Sequence, residues 1–171
     1  MSGFYIGVDG KARKVKKAYI GVDGIAREWY SSAKKLSSCA VGTIVQLPEK
    51  GKNVEYIVVH QGLPSSSYDA SCNGTWLMRK EIHSASVWCV TGYNDYENST
   101  ISSYLKTTFY NQLSSSVKSN VKTVKIPYRA GRDGTTVSSG ANGLSTKVFA
   151  LSMKEVNLTD ATSPVEGATL S

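Results

Sequence analysis

Tyr5-Ile6-Gly7-Val8-Asp9-Gly10-Lys11-Ala12-Arg13 returns fourteen residues later as Tyr19-Ile20-Gly21-Val22-Asp23-Gly24-Ile25-Ala26-Arg27, and only Lys11 and Ile25 differ between the copies. Asp-Gly between two apolar runs is a strong hairpin signal. A two-residue type I′ turn needs φ > 0 at both central positions, and Asp and Gly tolerate that. Turns at Asp9-Gly10 and Asp23-Gly24 fix two registers. The first pairs Val8 with Lys11, Gly7 with Ala12, Ile6 with Arg13 and Phe4 with Val15. The second pairs Val22 with Ile25, Gly21 with Ala26, Ile20 with Arg27 and Ala18 with Trp29. Both units set Gly opposite Ala at one level, which suggests close approach of another backbone. Two short hairpins cannot build a core of their own. Residues 1–30 are therefore expected to be an arm that packs on the following domain or on other chains, including further copies of itself. Its assembly residues are Tyr5, Gly7, Asp9, Gly10, Ala12 and Arg13, with Tyr19, Gly21, Asp23, Gly24, Ala26 and Arg27 in the second unit.

Charge marks the same boundary. Lys11, Arg13, Lys14, Lys16, Lys17, Arg27, Lys34 and Lys35 against Asp9, Asp23 and Glu28 leave +5 of the chain's +7 within residues 1–35. A basic arm can bind nucleic acid. Lysine-rich strands also guard exposed sheet edges, and no nucleic-acid-binding motif accompanies these lysines, so nucleic acid is not the expected partner.

At 171 residues the chain suits one domain plus an arm. No apolar stretch is long enough to span a bilayer, and no secretory signal precedes the repeat. Cys39, Cys72 and Cys89 are an odd count, as in a protein made in a reducing cytoplasm. Cys72, Cys89 and His83 match no zinc spacing, so buried thiols are expected, with no metal and no cofactor.

Residues 31–39 read as a Ser/Lys-rich linker and 40–171 as a loop-rich domain. Thr43 to Leu47, closed by Pro48, and Val54 to His60 read as a hairpin around a polar turn at residues 49–53. Residues 62–74 form a long loop, and 75–82 suit strand or helix. After Asp95 comes the clearest helix, capped by Asn98 or Ser99. It turns Ile101, Tyr104, Leu105, Phe109 and Leu113 inward and Ser102, Ser103, Lys106, Thr107 and Asn111 outward. A short helix over 115–121 and a strand over 123–126 follow. Residues 129–143 read as a surface loop and 147–151 as a buried strand. Ser152-Met153-Lys154-Glu155 has capping-box form. Residues 157–171 read as weakly structured, without a closing element. The whole is an α+β chain: a β-hairpin repeat arm, then a compact mixed α/β domain.

No nucleophile elbow, phosphate loop or zinc-protease helix motif occurs. His60 lies on an apolar strand as a core histidine would, and His83 has no evident partner. Tyr93-Asn94-Asp95-Tyr96-Glu97-Asn98 gathers aromatics with carboxylate and amide oxygens, which suit calcium or sugar hydroxyls. The competing role for Asp95 and Asn98 is capping the following helix. Tyr93, Asn94 and Asp95, with Arg129 and Arg132 from the glycine-rich stretch, make the candidate ligand-binding set. Trp76 and Trp88 are assigned to the core.

Several motifs carry a family resemblance: Gly62-Leu63-Pro64, Tyr68-Asp69-Ala70-Ser71-Cys72-Asn73-Gly74-Thr75-Trp76-Leu77, Lys125-Ile126-Pro127-Tyr128, Ser139-Gly140-Ala141-Asn142-Gly143-Leu144-Ser145 and Val148-Phe149-Ala150-Leu151-Ser152. Over Val41 to Ser171 the chain resembles a family of unknown function common in tail-module and other virion genes of phages and prophages of Gram-positive gut bacteria. The Gly-Val-Asp-Gly-x-Ala-Arg repeat is similar to repeats in phage structural proteins of those hosts. The resemblance implies a virion component assembled in the host cytoplasm, not an enzyme, with a domain distantly similar to C-type-lectin-like folds. Other virion proteins and a host-surface glycan are the implied partners, with a trimer by analogy with fibres. Members of the family generally continue past the point matching Ser171, so a fragment, or closure by another chain, is expected. The leading expectation is a tail or baseplate fibre. A capsid or tail decoration protein without a receptor role is the alternative, and a cell-wall or capsule hydrolase the second.

Overall fold

The computed structural model describes residues 5–22, 25–31, 35–90, 95–130, 136–158 and 165–170, and within 19–31 the backbone alone. The chain divides into two units, Met1–Ser38 and Cys39–Ser171.

In the first unit β1 (Tyr5–Val8) pairs antiparallel with β2 (Lys11–Lys14) in the expected register. Asp9 at φ 51° and Gly10 at φ 71° form the turn, both in the left-handed region that a type I′ turn requires. Phe4 lies outside the described residues. The second hairpin joins β3 (Lys17–Val22) to β4 (Ile25–Ser31). Val22 faces Ile25, Gly21 faces Ala26 and Ile20 faces Arg27, as the repeat predicts. Asp23 and Gly24 lie outside the described residues. The expected pairing of Ala18 with Trp29 is corrected: Tyr19 faces Glu28 and Ala18 faces Tyr30, with a β-bulge between. A bulge sets two residues of one strand against one of the other, so Trp29 is the extra residue. A Cβ on Gly7 would meet nothing within 4 Å, so none of the described residues makes the close approach expected there.

The second unit is α+β. Its main sheet has the antiparallel order β5 (Ile44–Glu49), β6 (Lys52–Gly62), β7 (Gly74–Arg79). Lys50 and Gly51, at φ 48° and 73°, repeat the turn geometry of the arm. Pro48 lies inside β5 instead of closing it. The strand is at the sheet edge, where a missing N–H breaks no ladder, and its carbonyl accepts the Ser114 N–H at 3.0 Å. The ambiguous stretch 75–82 resolves as β7. Tyr56 and Leu77 turn to one sheet face and Trp76 and Val59 to the other, the ladder being re-aimed by a bulge between Val58 and His60.

On the Tyr56 face lies the helical layer: α1 (Thr100–Tyr104), a π turn (Leu105–Phe109), α2 (Tyr110–Gln112) and α3 (Ser115–Lys118). Ser99 caps α1, its Oγ accepting the Ser102 N–H at 3.1 Å. Phe109 and Leu113 are buried as expected. Ser102 is corrected from outward to fully buried. Ser99 Oγ, which accepts the Ser102 N–H, itself donates to the Tyr96 carbonyl at 2.8 Å, so the chain before α1 is tied to the turn that holds Ser102.

The Trp76 face packs on Tyr68, Cys72, Ile126 and Leu144. Ile126 and Leu144 come from the antiparallel pair β8 (Val124–Ile126) and β11 (Leu144–Thr146). The strand expected at 147–151 therefore lies earlier in the chain. Val148, Phe149 and Leu151 fill the core from an extended segment without a ladder. The surface loop at 129–143 is partly corrected, since β9 (Tyr128–Arg129) pairs with β10 (Val137–Ser138) inside it.

The capping box forms: Glu155 N–H reaches Ser152 Oγ at 3.2 Å and Ser152 N–H reaches Glu155 Oε2 at 2.7 Å. The weakly structured tail is corrected over 165–170. Ala168 and Leu170 pack on the core, Ala168 N–H donates to Tyr68 Oη at 3.1 Å, and Leu170 N–H donates to the Glu155 carbonyl at 3.2 Å.

Candidate functional site

A wall of polar and aromatic groups forms where the turn before α1 meets β9. Asp95 is buried and committed to its own turn: Oδ1 accepts the Asn98 N–H at 2.8 Å and Oδ2 the Asn98 amide at 3.2 Å. It therefore shapes the loop and presents little carboxylate outward. Tyr96 turns inward and its hydroxyl accepts the Ala150 N–H at 2.8 Å. Burial pushes that phenol above its ordinary value.

Glu97, next in the chain, is exposed and stands against the Tyr128 hydroxyl of β9. Burial, then the Glu97 charge, push the Tyr128 phenol up. Arg129 follows, half-buried, and its N–H donates to Glu166 Oε1. Ser152 Oγ in turn donates to the Glu166 carbonyl at 2.7 Å, so the segment at 165–170 braces the wall from behind.

Trp88 was assigned to the core and is corrected: its side chain is 48% exposed, against 8% for Trp76. Its carbonyl accepts the Ile101 N–H at 3.2 Å, and its ring lies 6.0 Å from Tyr96, tilted by 39°. A half-open indole beside a second aromatic ring suits the apolar face of a ligand ring.

Of the expected ligand-binding residues, the fold brings Asp95 and Arg129 to this wall through the contact between Glu97 and Tyr128. Tyr93, Asn94 and Arg132 lie outside the described residues. Sequence reading missed Trp88, Tyr128 and Glu166 as members. The usable signal for Trp88 was its position in an apolar run too short for an element and flanked by polar residues.

A second polar cluster lies at the far end of the sheet. Glu49, 3% exposed, accepts the Tyr56 hydroxyl at 2.6 Å and Arg79 Nε at 3.2 Å. His83 Nε2 is 2.8 Å from Gln112 Oε1 and 3.8 Å from Glu49 Oε1, and Tyr104 Oη is 3.1 Å from Nδ1. The expectation that His83 lacks a partner is thereby corrected. Each group here is saturated by its neighbours, and the cluster acts as a clasp holding residues 80–90 to the sheet and helices. His60 is buried, edge-on to Trp76 at 6.4 Å, as a core histidine. Cys39 and Cys72 are buried and Cys89 is half-buried. Among the described residues, no three His, Cys, Asp or Glu side chains gather as a metal site.

The family described as Domain of unknown function (DUF6273) matches residues 73–171, more than half of the chain, and the chain belongs to it. The match takes in β7, the helices and the whole wall from Trp88 to Glu166, and begins after the β5–β6 hairpin. No curated protein and no solved structure matches.

Proposed function

We propose that this chain is a bacteriophage virion protein of the tail or baseplate fibre kind, whose hairpin arm assembles it and whose domain binds a glycan on the host surface. The observation that carries the binding half is Trp88, held half-open with its ring 6.0 Å from Tyr96, the residue that precedes the exposed Glu97 in the chain. Sugars are bound by an aromatic face against the apolar side of the ring and by carboxylate and hydroxyl groups on the rim. The assembly half is supported by an arm whose first hairpin leaves seven of its eight strand residues exposed, as a segment that needs further strands to become stable would. The reading assigns binding to the domain and no catalytic step.

Calorimetric titration of the full chain with cell-wall and capsular polysaccharides of Gram-positive hosts tests it. Saturable binding abolished by Trp88→Ala and weakened by Glu97→Gln is expected. No binding to any such polysaccharide, or equal binding by Trp88→Ala, removes the glycan reading. Mass spectrometry of purified particles tests virion membership, and absence of the chain from them removes the virion reading. A decoration protein without receptor role is the second reading. Exposed Lys11, Arg13 and Lys14 on one strand favour it, because they suit an acidic virion surface.

A further inference from the structure

The two edges of the first hairpin differ in charge. β2 places Lys11, Arg13 and Lys14 in four residues, all exposed. β1 is Tyr-Ile-Gly-Val, without a charge, and Tyr5 and Ile6 are 55% and 49% exposed. Lysine on an edge strand is a standard guard against pairing with another chain, whereas an uncharged, apolar, exposed edge invites it. Among the described residues β1 pairs with β2 alone, so its outer backbone groups face no strand. A Cβ on Gly7 would meet none of the described residues within 4 Å. The second hairpin does not repeat this pattern, since β3 opens on Lys17 and β4 balances Arg27 with Glu28.

We infer that the first strand of the first hairpin is a copy-to-copy edge: β1 of one chain pairs antiparallel with β1 of a second chain across a two-fold axis. The inference rests on the reading of the arm as an assembly device and names its partner. The charge pattern selects the edge. Pairing β2 with β2 sets rows of cations side by side, and like charges on neighbouring strands are destabilising. Pairing β1 with β1 sets neutral strands side by side and leaves the cations on the two outer edges, in the order β2, β1, β1 of the partner, β2 of the partner. A two-fold contact of this kind is self-complementary and closes on itself. Four strands also supply what two lack, since an isolated two-stranded hairpin is marginal in water.

The test uses the full chain. Sedimentation equilibrium at micromolar concentration is expected to give a dimer or an even multiple. Ile6→Glu is expected to give the monomer mass, because each new carboxylate faces Arg13 within its hairpin but repels its copy across the two-fold axis. Lys11→Glu, on the guarded edge, is expected to keep the wild-type mass. Cross-linking covers the case in which Ile6→Glu unfolds the arm. In a Cys89→Ser background, Tyr5→Cys is expected to link chain to chain with a short bismaleimide. Lys14→Cys is not, since three strand spacings separate the outer edges by about 14 Å. A monomeric or trimeric wild type overturns the inference. So does an oligomer that survives Ile6→Glu, or equal cross-linking from Lys14→Cys. A monomer that still binds polysaccharide overturns the pairing and leaves the proposed binding function standing.

Discussion

Tyr68 and Glu155 stand 87 residues apart in the chain and meet in a buried hydrogen bond of 2.6 Å. The phenol donates to Oε1 and accepts the Ala168 N–H, while Oε2 accepts the Ser152 N–H. One pair of side chains thus ties together the long loop before β7, the capping-box turn and the segment at 165–170.

Removing the phenol oxygen isolates that tie. Tyr68→Phe keeps the ring against Trp76 at 5.6 Å but strands the Ala168 N–H and one carboxyl oxygen. The expected loss is about 1–3 kcal/mol, read from urea denaturation. Gly167→Ala is expected to be at least as damaging, since Gly167 holds φ 83° and a Cβ there would collide with the Tyr68 hydroxyl. Wild-type stability in either variant would contradict the account.

Glu155 makes stability depend on pH in an unusual direction. Burial pushes its carboxyl above the ordinary range, against the lowering effect of the Tyr68 and Ser152 hydrogen bonds. An acid whose folded pKa is raised is most stabilising below its unfolded pKa. That contribution is lost as pH rises through the folded value. The difference in melting temperature between wild type and Glu155→Gln is therefore expected to shrink or reverse as pH rises from the ordinary carboxylate range toward neutrality. A difference that grows with pH would show that the hydrogen bonds outweigh burial.

Glu49 is a buried carboxylate whose charge is met chiefly by Arg79. Arg79→Met is expected to cost about 3 kcal/mol, because an uncompensated buried charge remains. Adding Glu49→Gln is expected to recover part of that loss. The double-mutant cycle by denaturation reads this coupling directly.

Asp95 and Trp88 separate shape from contact at the wall. Asp95→Ala removes the acceptor of the Asn98 N–H and is expected to lower stability by about 1 kcal/mol. Trp88→Ala, on a half-exposed ring, is expected to change stability by less while abolishing polysaccharide binding. The reverse pattern would move the candidate site away from the indole.

The parts that could be read from sequence were those whose chemistry is local. Asp9-Gly10 announces its turn and so fixes every pair from Tyr5 to Lys14. Ser152 and Glu155 announce their box at a spacing of three. Ser99 caps α1 from within its own turn. What failed depended on partners distant in sequence. His83 meets Gln112 and Glu49 only once β5, β7 and the helices are stacked. Val148-Phe149-Ala150-Leu151 is apolar because two cores need filling, and its run resembles a strand that has no neighbour to pair with. Trp88 looked like core because it is tryptophan, and only the path of residues 80–90 leaves it half-open. Trp29 became a bulge with no glycine to signal it.

The tie between Tyr68 and the segment at 165–170 also sets an order of events during synthesis. A ribosome delivers the chain from its N-terminus, and domains generally fold as units. The arm is out early, and the pairing within each of its hairpins is local in sequence. Tyr68, in contrast, must wait for about one hundred further residues before Glu155 and Ala168 arrive, a separation its bond to the Ala168 N–H spans in full. Until then the Trp76 face of the sheet has no cover from Leu151 or Leu170. On the proposed pairing of β1 with a second copy, a nascent chain carries its pairing strand ahead of an open domain. Neighbouring chains on one messenger can meet through the first before the second has closed.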